Sequence, residues 1–326
     1  MSKKVFLKGT LILACTGLVS RIAGFFYRIF LSHAIGAEGL GLYQLILPLQ
    51  GLMAALSYTG IQSALSRLIA SRLALQEKKE AYFSLVTGIF AAVFFSAVTG
   101  FLLFRHADFF ASTILKAPGT SDLLRLTAAS IPLCAIHSCI DSYYYARKKA
   151  SVPAAVQLSE QAVRIGATYI LYLIFLSEGR PVTAMIAAGG SLAGEATASL
   201  ISLLMVSFHF GNHPVKEKTS VKIFPLIKDL FTLSFPISLN RILLTLLGSI
   251  EAVLIPQMLI RCGMTSSEAL KIYGIFTGMA LPLLLFPSTL TTSAAVMLMP
   301  SVARMDALGD QKQIRHVTDQ TFFLCM

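Results

Sequence analysis

Five arginines lie inside long apolar runs of this 326-residue chain: Arg21, Arg28, Arg125, Arg164 and Arg241. A guanidinium is always charged, and its planar fork of donors matches the oxygens of a phosphate or carboxylate. Arginines placed where water is scarce therefore suit the recognition of an anion. Arg21 and Arg28 are seven residues apart, two helical turns, so they share one face of a helix. Asn240 stands beside Arg241 and either donates to the same anion or bonds a neighbouring helix. Arg164 follows Glu160 by four residues, the favourable order for an ion pair along a helix. A structural pair and a ligand contact are both open there. Asp141, Glu195 and Glu251 are carboxylates in apolar surroundings and candidates for holding a coupling cation. Asp141 is expected to pair with the nearby basic run Arg147–Lys149, and Glu195 with one of the arginines inside the apolar runs.

Membrane spans must position these charges. The chain is 55% hydrophobic and only 13% charged, with a mean hydropathy of +0.72, whereas soluble domains average about 25% charged residues. Runs long enough to cross a bilayer recur along its length. They predict spans at Leu11–Leu31, Tyr43–Leu65, Tyr82–Phe104, Leu123–Tyr145, Ala154–Leu176, Val182–Phe208, Phe231–Ile255 and Ile272–Met299, with a ninth beginning near Thr318. The fold class is all-α, a polytopic transmembrane helix bundle without a sizeable soluble domain. Pro48, Pro132, Pro236, Pro282 and Pro287 interrupt these spans, each marking either an ordinary kink or a helix broken at a ligand site. The segment HADFFASTILKAP (His106–Pro118) is too short and mixed to span. It is expected to lie in the outer interface.

Charge then orients the bundle. One set of alternating loops holds Lys3, Lys4, Lys8, Arg67, Arg72, Lys78, Lys79, Arg147, Lys148, Lys149, Lys216, Lys218, Lys222, Lys228, Arg304, Lys312 and Arg315. The other holds only Arg105, Lys116, Arg180, Arg261 and Lys271. The positive-inside rule puts the first set and the N-terminus in the cytoplasm, and makes the cell membrane the expected location. Arg21, Arg164 and Arg241 then each lie about ten residues into a span entered from the cytoplasm. That is about 15 Å deep, near the midplane of a ~30 Å core. An arginine there costs on the order of 2.5–3.5 kcal/mol, so a shared water-filled cavity is expected to hold all three. Arg28, nearer the outer end of its span, either joins them or snorkels, and Arg125 is expected to snorkel.

Several other classes are excluded. The formal charge of +11 resides in short loops that flank spans, and no basic face interleaved with aromatic residues occurs. No nucleic-acid partner is expected. The five cysteines form no CxxC pair and read as packed thiols, and no Cys/His cluster has metal-ligand spacing, so neither metal nor cofactor is expected. There is no Walker A loop, HExxH or GxSxG, and the loops are short, which favours transport over catalysis. The opening MSKKVFLKG precedes an apolar run too long for a signal peptide, so a retained first span is expected.

The stretch SRIAGFFYRIFLSHAIGAEGLGLYQ (Ser20–Gln44), with LSEQAVRIG (Leu158–Gly166) and FPISLNRILLTLLGSIEAVLIPQ (Phe235–Gln257), resembles polysaccharide-export proteins of the multidrug/oligosaccharidyl-lipid/polysaccharide (MOP) flippase superfamily. The likeness is greatest to the stage V sporulation protein B group of spore-forming bacteria, and it runs the length of the chain. It implies a MATE-like pair of helix bundles around a cavity that opens alternately to each side. Residues 1–212 would form a complete N-lobe of six spans, and residues 213–326 the first two to three spans of a C-lobe. The implied cargo is an undecaprenyl-pyrophosphate-linked saccharide for cell-wall or spore-cortex assembly, with wall-synthesis enzymes as further partners and the membrane potential or an H+ or Na+ gradient as driving force. Arg21 matches the arginine of an SRxxGF-like motif that lines the cavity in lipid II flippases of the superfamily. Arg28 is one residue out of step with their second first-span arginine, and Arg241 is similar in placement to a cavity arginine of their second lobe. The final QTFFLCM ends inside an apolar stretch, as expected of a truncated member. A multidrug–cation antiporter of the same fold would instead place carboxylates at the cavity centre, and a non-transporting scaffold would depend on its loops.

Overall fold

A computed structural model describes residues 3–212, 223–285 and 288–325. The described chain is helical, without a strand. The helices are α1 (Lys3–Ser57), α2 (Thr59–Ala74), α3 (Lys78–Arg105), α4 (Ser121–Ala146), α5 (Ser151–Ser177), α6 (Met185–Asn212), α7 (Ile223–Arg261), α8 (Ser266–Ile275), α9 (Ser288–Ala307) and α10 (Gln311–Cys325). Five helical stretches, Leu11–Ser57, Lys78–Arg105, Pro118–Ala146, Met185–Asn212 and Ile223–Arg261, are long and apolar enough to cross a membrane. The chain is a multi-pass membrane protein. The predicted lobe boundary at residue 213, with Lys216, Lys218, Lys222 and Pro287, lies outside the described residues.

The first two predicted spans form one helix broken at Gly36, where φ is 74° and ψ is 167°. A side chain would strain at that positive φ, and glycine does not. Leu31 and Leu40, on either side of the break, pack in one cluster with Tyr27, Ile186 and Ala187. Leu13 lies at one end of the bundle with Ala150 and Ala154, and Leu45, Ile46 and Leu49 at the other with Leu103 and Leu123. The chain therefore reverses at Gly36, between the first two predicted spans. Other boundaries differ from prediction. The second span runs across the α1–α2 junction at Tyr58, and the eighth is divided. After α8 the helix continues through a π-helical turn, Phe276–Ala280, and Leu281–Leu284, and α9 starts at Ser288. Pro48, Pro132 and Pro236 do not interrupt their helices, and Pro282 opens the short stretch Leu281–Leu284.

Between His106 and Pro118 the backbone makes a helical turn at Ala107–Phe109 and a π turn at Phe110–Ile114. Ala107, Ala111 and Leu115 pack on Leu123 and Leu124. Arg125 does not snorkel freely. It pairs with Asp108 at 2.7 Å and Asp122 at 2.8 Å.

Lipid tails are as apolar as leucine, so these helices associate by close packing and polar contacts, not by hydrophobic exclusion. Small residues every four positions provide the packing surfaces. On α3, Ser84, Gly88, Ala92, Ser96 and Gly100 form the buried stripe, while Phe90, Phe94 and Phe101 face outward. On α6 the stripe is Gly190, Gly194, Ala198 and Ser202. At the end that carries most basic residues, Arg72 of α2 joins Glu77 (3.2 Å), Glu80 (3.0 Å) and Asp229 of α7 (2.8 Å).

The second half of α1 crosses α8 at two glycines. A Cβ on Gly41 would lie 2.2 Å from the Leu270 carbonyl oxygen, and one on Gly274 would lie 2.6 Å from the Gly41 nitrogen. Nothing lies within 4 Å of a Cβ on Gly248. Gly41→Ala and Gly274→Ala are each expected to cost about 1–3 kcal/mol through overpacking, and the double variant less than their sum. Gly248→Ala is expected to be neutral or stabilising. Thermal unfolding in detergent measures all four; an undisturbed Gly41→Ala protein would count against backbone contact at this crossing.

Candidate functional site

A cavity of about 1010 Å³ lies between both halves of α1, α5, α6 and the start of α9. Its charged lining is Arg21, Arg28, Arg164 and Glu195, and Gln44, Gln50, Gln157, Gln161, Ser191 and Ser288 add polar groups. The structure thus brings three of the predicted arginines to one cavity. Arg28 faces it and does not snorkel away. Asn240 and Arg241 are exposed and do not line it. Glu251 borders a separate cavity of about 400 Å³, beside Tyr273 and Thr277, which shares Gln44 and Leu47 with the first.

The three arginines are held differently. Arg21 donates from Nη1 to the Leu285 carbonyl (2.5 Å) and from Nη2 to Ser288 Oγ (3.3 Å). Leu285 closes the helical stretch Leu281–Leu284. The same carbonyl accepts from Ser288 N–H (3.1 Å) and Ser288 Oγ (2.7 Å), and the partial negative charge of a helix end adds to its attraction for a cation. Arg21 thereby ties the first helix to the break between α8 and α9. Neither Arg21 nor Arg28 has an ion-pair partner among the described residues.

Arg164, in contrast, is part of an ionic chain. It pairs with Glu160 one turn earlier, lies 3.6 Å from Glu195 Oε1, and donates to Gln161 Oε1 at 3.3 Å. Glu195 Oε2 lies 2.9 Å from His137 Nε2, and His137 Nδ1 lies 3.8 Å from Asp141 Oδ2. The expected pairing of Glu195 with an arginine is present. The expected pairing of Asp141 with Arg147–Lys149 is not: Asp141 turns inward to His137, one helical turn away. Arg147 bonds Tyr143 (2.9 Å) and His209 instead.

Glycines on α6 make this chain possible. A Cβ on Gly190 would lie 2.8 Å from the Arg164 carbonyl, and one on Gly194 would lie 3.0 Å from the Glu160 carbonyl and 3.2 Å from Arg164 Cβ. Only helices this close can set Glu195 against Arg164. Two neighbouring bonds fix the cavity wall, Tyr27 Oη to Thr168 Oγ1 and Tyr43 Oη to Ser191 Oγ, each 3.0 Å.

His137 and Cys134 did not stand out in the sequence. Their signal was spacing: Cys134, His137 and Asp141 recur at three and four residues, which places them on one face of α4. With Glu195 they form a group whose Cys134, His137 and Glu195 ligand atoms lie within 4.8 Å of one another. Metal-ligand spacing is absent along the sequence, and folding brings the third member of this group from α6.

Comparison with known proteins fixes the class. The described architecture matches a MATE transporter in its straight conformation with a TM-score of 0.75, at 14% identity, over 99% of this chain and 69% of that one. This is the fold of a membrane transporter. The polysaccharide biosynthesis protein family matches residues 6–306, and the chain belongs to that family. It is 31% identical to Stage V sporulation protein B of Bacillus subtilis (strain 168), over 100% of this chain and 63% of that protein. It is also 22% identical to Lipid II flippase MurJ of the same organism, over 98% of this chain and 62% of that protein. The chain thus spans less than two thirds of the length of these curated relatives.

Removing Arg164 would leave Glu160 and Glu195 facing each other without their shared cation. Loss of one partner from a buried ionic group costs about 3–5 kcal/mol. Arg164→Ala is expected to lower the unfolding temperature markedly, and Arg164→Ala with Glu160→Gln to recover part of the loss. Equal destabilisation in both variants would show that the cost arises from packing alone.

Proposed function

We propose that the protein is a flippase for a lipid-linked saccharide, with an undecaprenyl-pyrophosphate head group seated on Arg21, Arg28 and Arg164. The observation that carries this reading is the pair of cavity arginines, Arg21 and Arg28, without carboxylate partners among the described residues. A pyrophosphate offers the oxygens that guanidinium forks fit, and the glutamine and serine lining offers donors and acceptors to a sugar. The polyprenyl tail stays in lipid, outside the cavity. The relatives named for lipid II transport and for sporulation support a wall or spore-cortex precursor as cargo.

In this reading the head group competes with Leu285 and Ser288 for Arg21. Its binding exchanges a neutral carbonyl for an anion and releases the tie between α1 and the α8–α9 break, which frees the N-lobe (1–212) and C-lobe (213–326) to rock. The protein lies in the cell membrane with its N-terminus in the cytoplasm. The membrane potential or an H+ or Na+ gradient drives the cycle, and the candidate carboxylates for a coupling cation are Glu251, beside the second cavity, and Glu195 and Asp141, which a cation would have to draw from the ionic chain. Enzymes of wall synthesis supply and consume the cargo. A multidrug–cation antiporter is less well supported. It needs an unpaired carboxylate facing the cavity, and Glu195, the carboxylate that lines it, is engaged by His137 and Arg164.

Equilibrium binding of an undecaprenyl-pyrophosphate-linked disaccharide to the purified protein provides the test. A charged hydrogen bond contributes about 1.5–3 kcal/mol, so Arg21→Ala and Arg28→Ala are each expected to weaken binding at least ~10-fold. Arg241→Ala, outside the cavity, is expected to change it less than ~2-fold. Binding by Arg21→Ala at the wild-type level would sink the assignment.

A further inference from the structure

We infer that Cys134, His137 and Glu195 form a binding site for a divalent metal ion of the zinc class, beside the cavity that Glu195 lines. The inference goes beyond the transport reading and does not rest on it. Cys134 Sγ, one nitrogen of His137 and one oxygen of Glu195 lie within 4.8 Å of one another. Ligands of a tetrahedral zinc, bound at about 2.0–2.3 Å, sit about 3.5 Å apart. The cluster therefore needs sub-ångström to roughly one-ångström adjustments, mostly of side chains. Cys134 is buried, His137 and Glu195 nearly so, and Glu195 also lines the cavity. Water and ions thus reach one edge of the cluster, where a water molecule completes the fourth position.

Three further features suit a metal better than a simple hydrogen-bonded network. His137 Nε2 points to Glu195, while Asp141 Oδ2 stands 3.8 Å behind Nδ1. A carboxylate at the far nitrogen is the usual support of a metal-bound imidazole, since it fixes the proton on Nδ1 and leaves Nε2 free to ligate. His137 Nδ1 and Asp141 Oδ1 are both buried without a hydrogen-bond partner, so this outer arrangement is in place but not drawn tight. Carboxylates also outnumber the fixed cation along this chain: Glu160 and Glu195 share Arg164, and Asp141 stands behind His137. A divalent cation corrects that excess.

The donor set selects the class of ion. A thiolate and an imidazole disfavour Na+, Mg2+ and Ca2+, which prefer oxygen, and favour zinc-like ions. The binding step balances simply. The thiol of Cys134 loses its proton to solvent, the imidazole keeps one proton on Nδ1, and the metal replaces the Nε2–Glu195 contact. The ion would then join α4 to α6 and draw Glu195 away from Arg164.

Metal binding to the purified, chelator-stripped protein tests this without any transport assay, so its failure is separable from failure of the flippase reading. Zn2+ is expected to bind one per chain, and Co2+ to give a thiolate-to-metal charge-transfer band. Cys134→Ser should abolish the band and weaken Zn2+ at least tenfold, and Glu195→Gln should weaken Zn2+ similarly. Asp141→Asn should keep the stoichiometry with affinity lower by about 10–100-fold. Cys15→Ser, at an exposed cysteine on another helix, should leave both signals unchanged. Absence of the Co2+ band from the wild-type protein would overturn the inference, whatever the folding of the variants. So would Zn2+ binding of equal strength in wild type and Cys134→Ser.

Discussion

A guanidinium on a membrane-spanning helix must keep water or find a counter-charge, because burying it with neither is costly. Much of this structure is a response to that constraint at three positions. Arg164 meets it with carboxylates, through Glu160 and Glu195. Arg21 and Arg28 meet it with space, by facing a cavity of about 1010 Å³. The two solutions have opposite consequences. A guanidinium neutralised by carboxylates holds helices together, whereas one facing water retains its charge for a ligand.

The two solutions also depend on each other. An open cavity removes packing from the middle of the bundle, so the surrounding walls must be close-fitting. The four-residue stripes of small side chains on α3 and α6 supply that fit. On α6 the same stripe places Gly190 and Gly194 against the backbone of α5 where Glu160 and Arg164 project. Backbone proximity and charge pairing are therefore one feature. A larger side chain in the stripe would separate the helices and also pull Glu195 away from Arg164.

Several helices were legible from the sequence because hydropathy reports what faces lipid: α3 to α6 fall within a few residues of their predicted ranges, whereas α7 (Ile223–Arg261) extends well beyond the predicted Phe231–Ile255 at both ends. The reversal at Gly36 was visible in the glycine-rich GAEGLG. Pro282 and Pro287 marked the eighth span as interrupted, but hydropathy did not show that its helices are divided between Leu284 and Ser288. For the site, depth counting brought Arg21 and Arg164 to the same cavity but failed for Arg241. Depth fixes height in the bilayer and says nothing about direction around the helix. The chain from Asp141 through His137 to Glu195 was missed because its members come from α4 and α6. Only their spacing within α4 hinted at a shared face.

Arg21 shows why the site is more than a basic pocket. Its partners, the Leu285 carbonyl and Ser288 Oγ, are neutral and sit where the helix path between α8 and α9 is broken. A carboxylate in their place would grip the guanidinium strongly and compete with any anion. A wholly apolar surface would leave it unsatisfied and costly. Neutral oxygens at a helix end fall between these limits: they satisfy the donors, benefit from the helix dipole, and still yield to a charged phosphate, whose hydrogen bonds to arginine are roughly twice as strong as neutral ones. The break in the helix is thus chemically matched to the arginine opposite. The Leu285 carbonyl also accepts from Ser288 N–H (3.1 Å) and Ser288 Oγ (2.7 Å), so it stays satisfied when Arg21 turns from it to an anion.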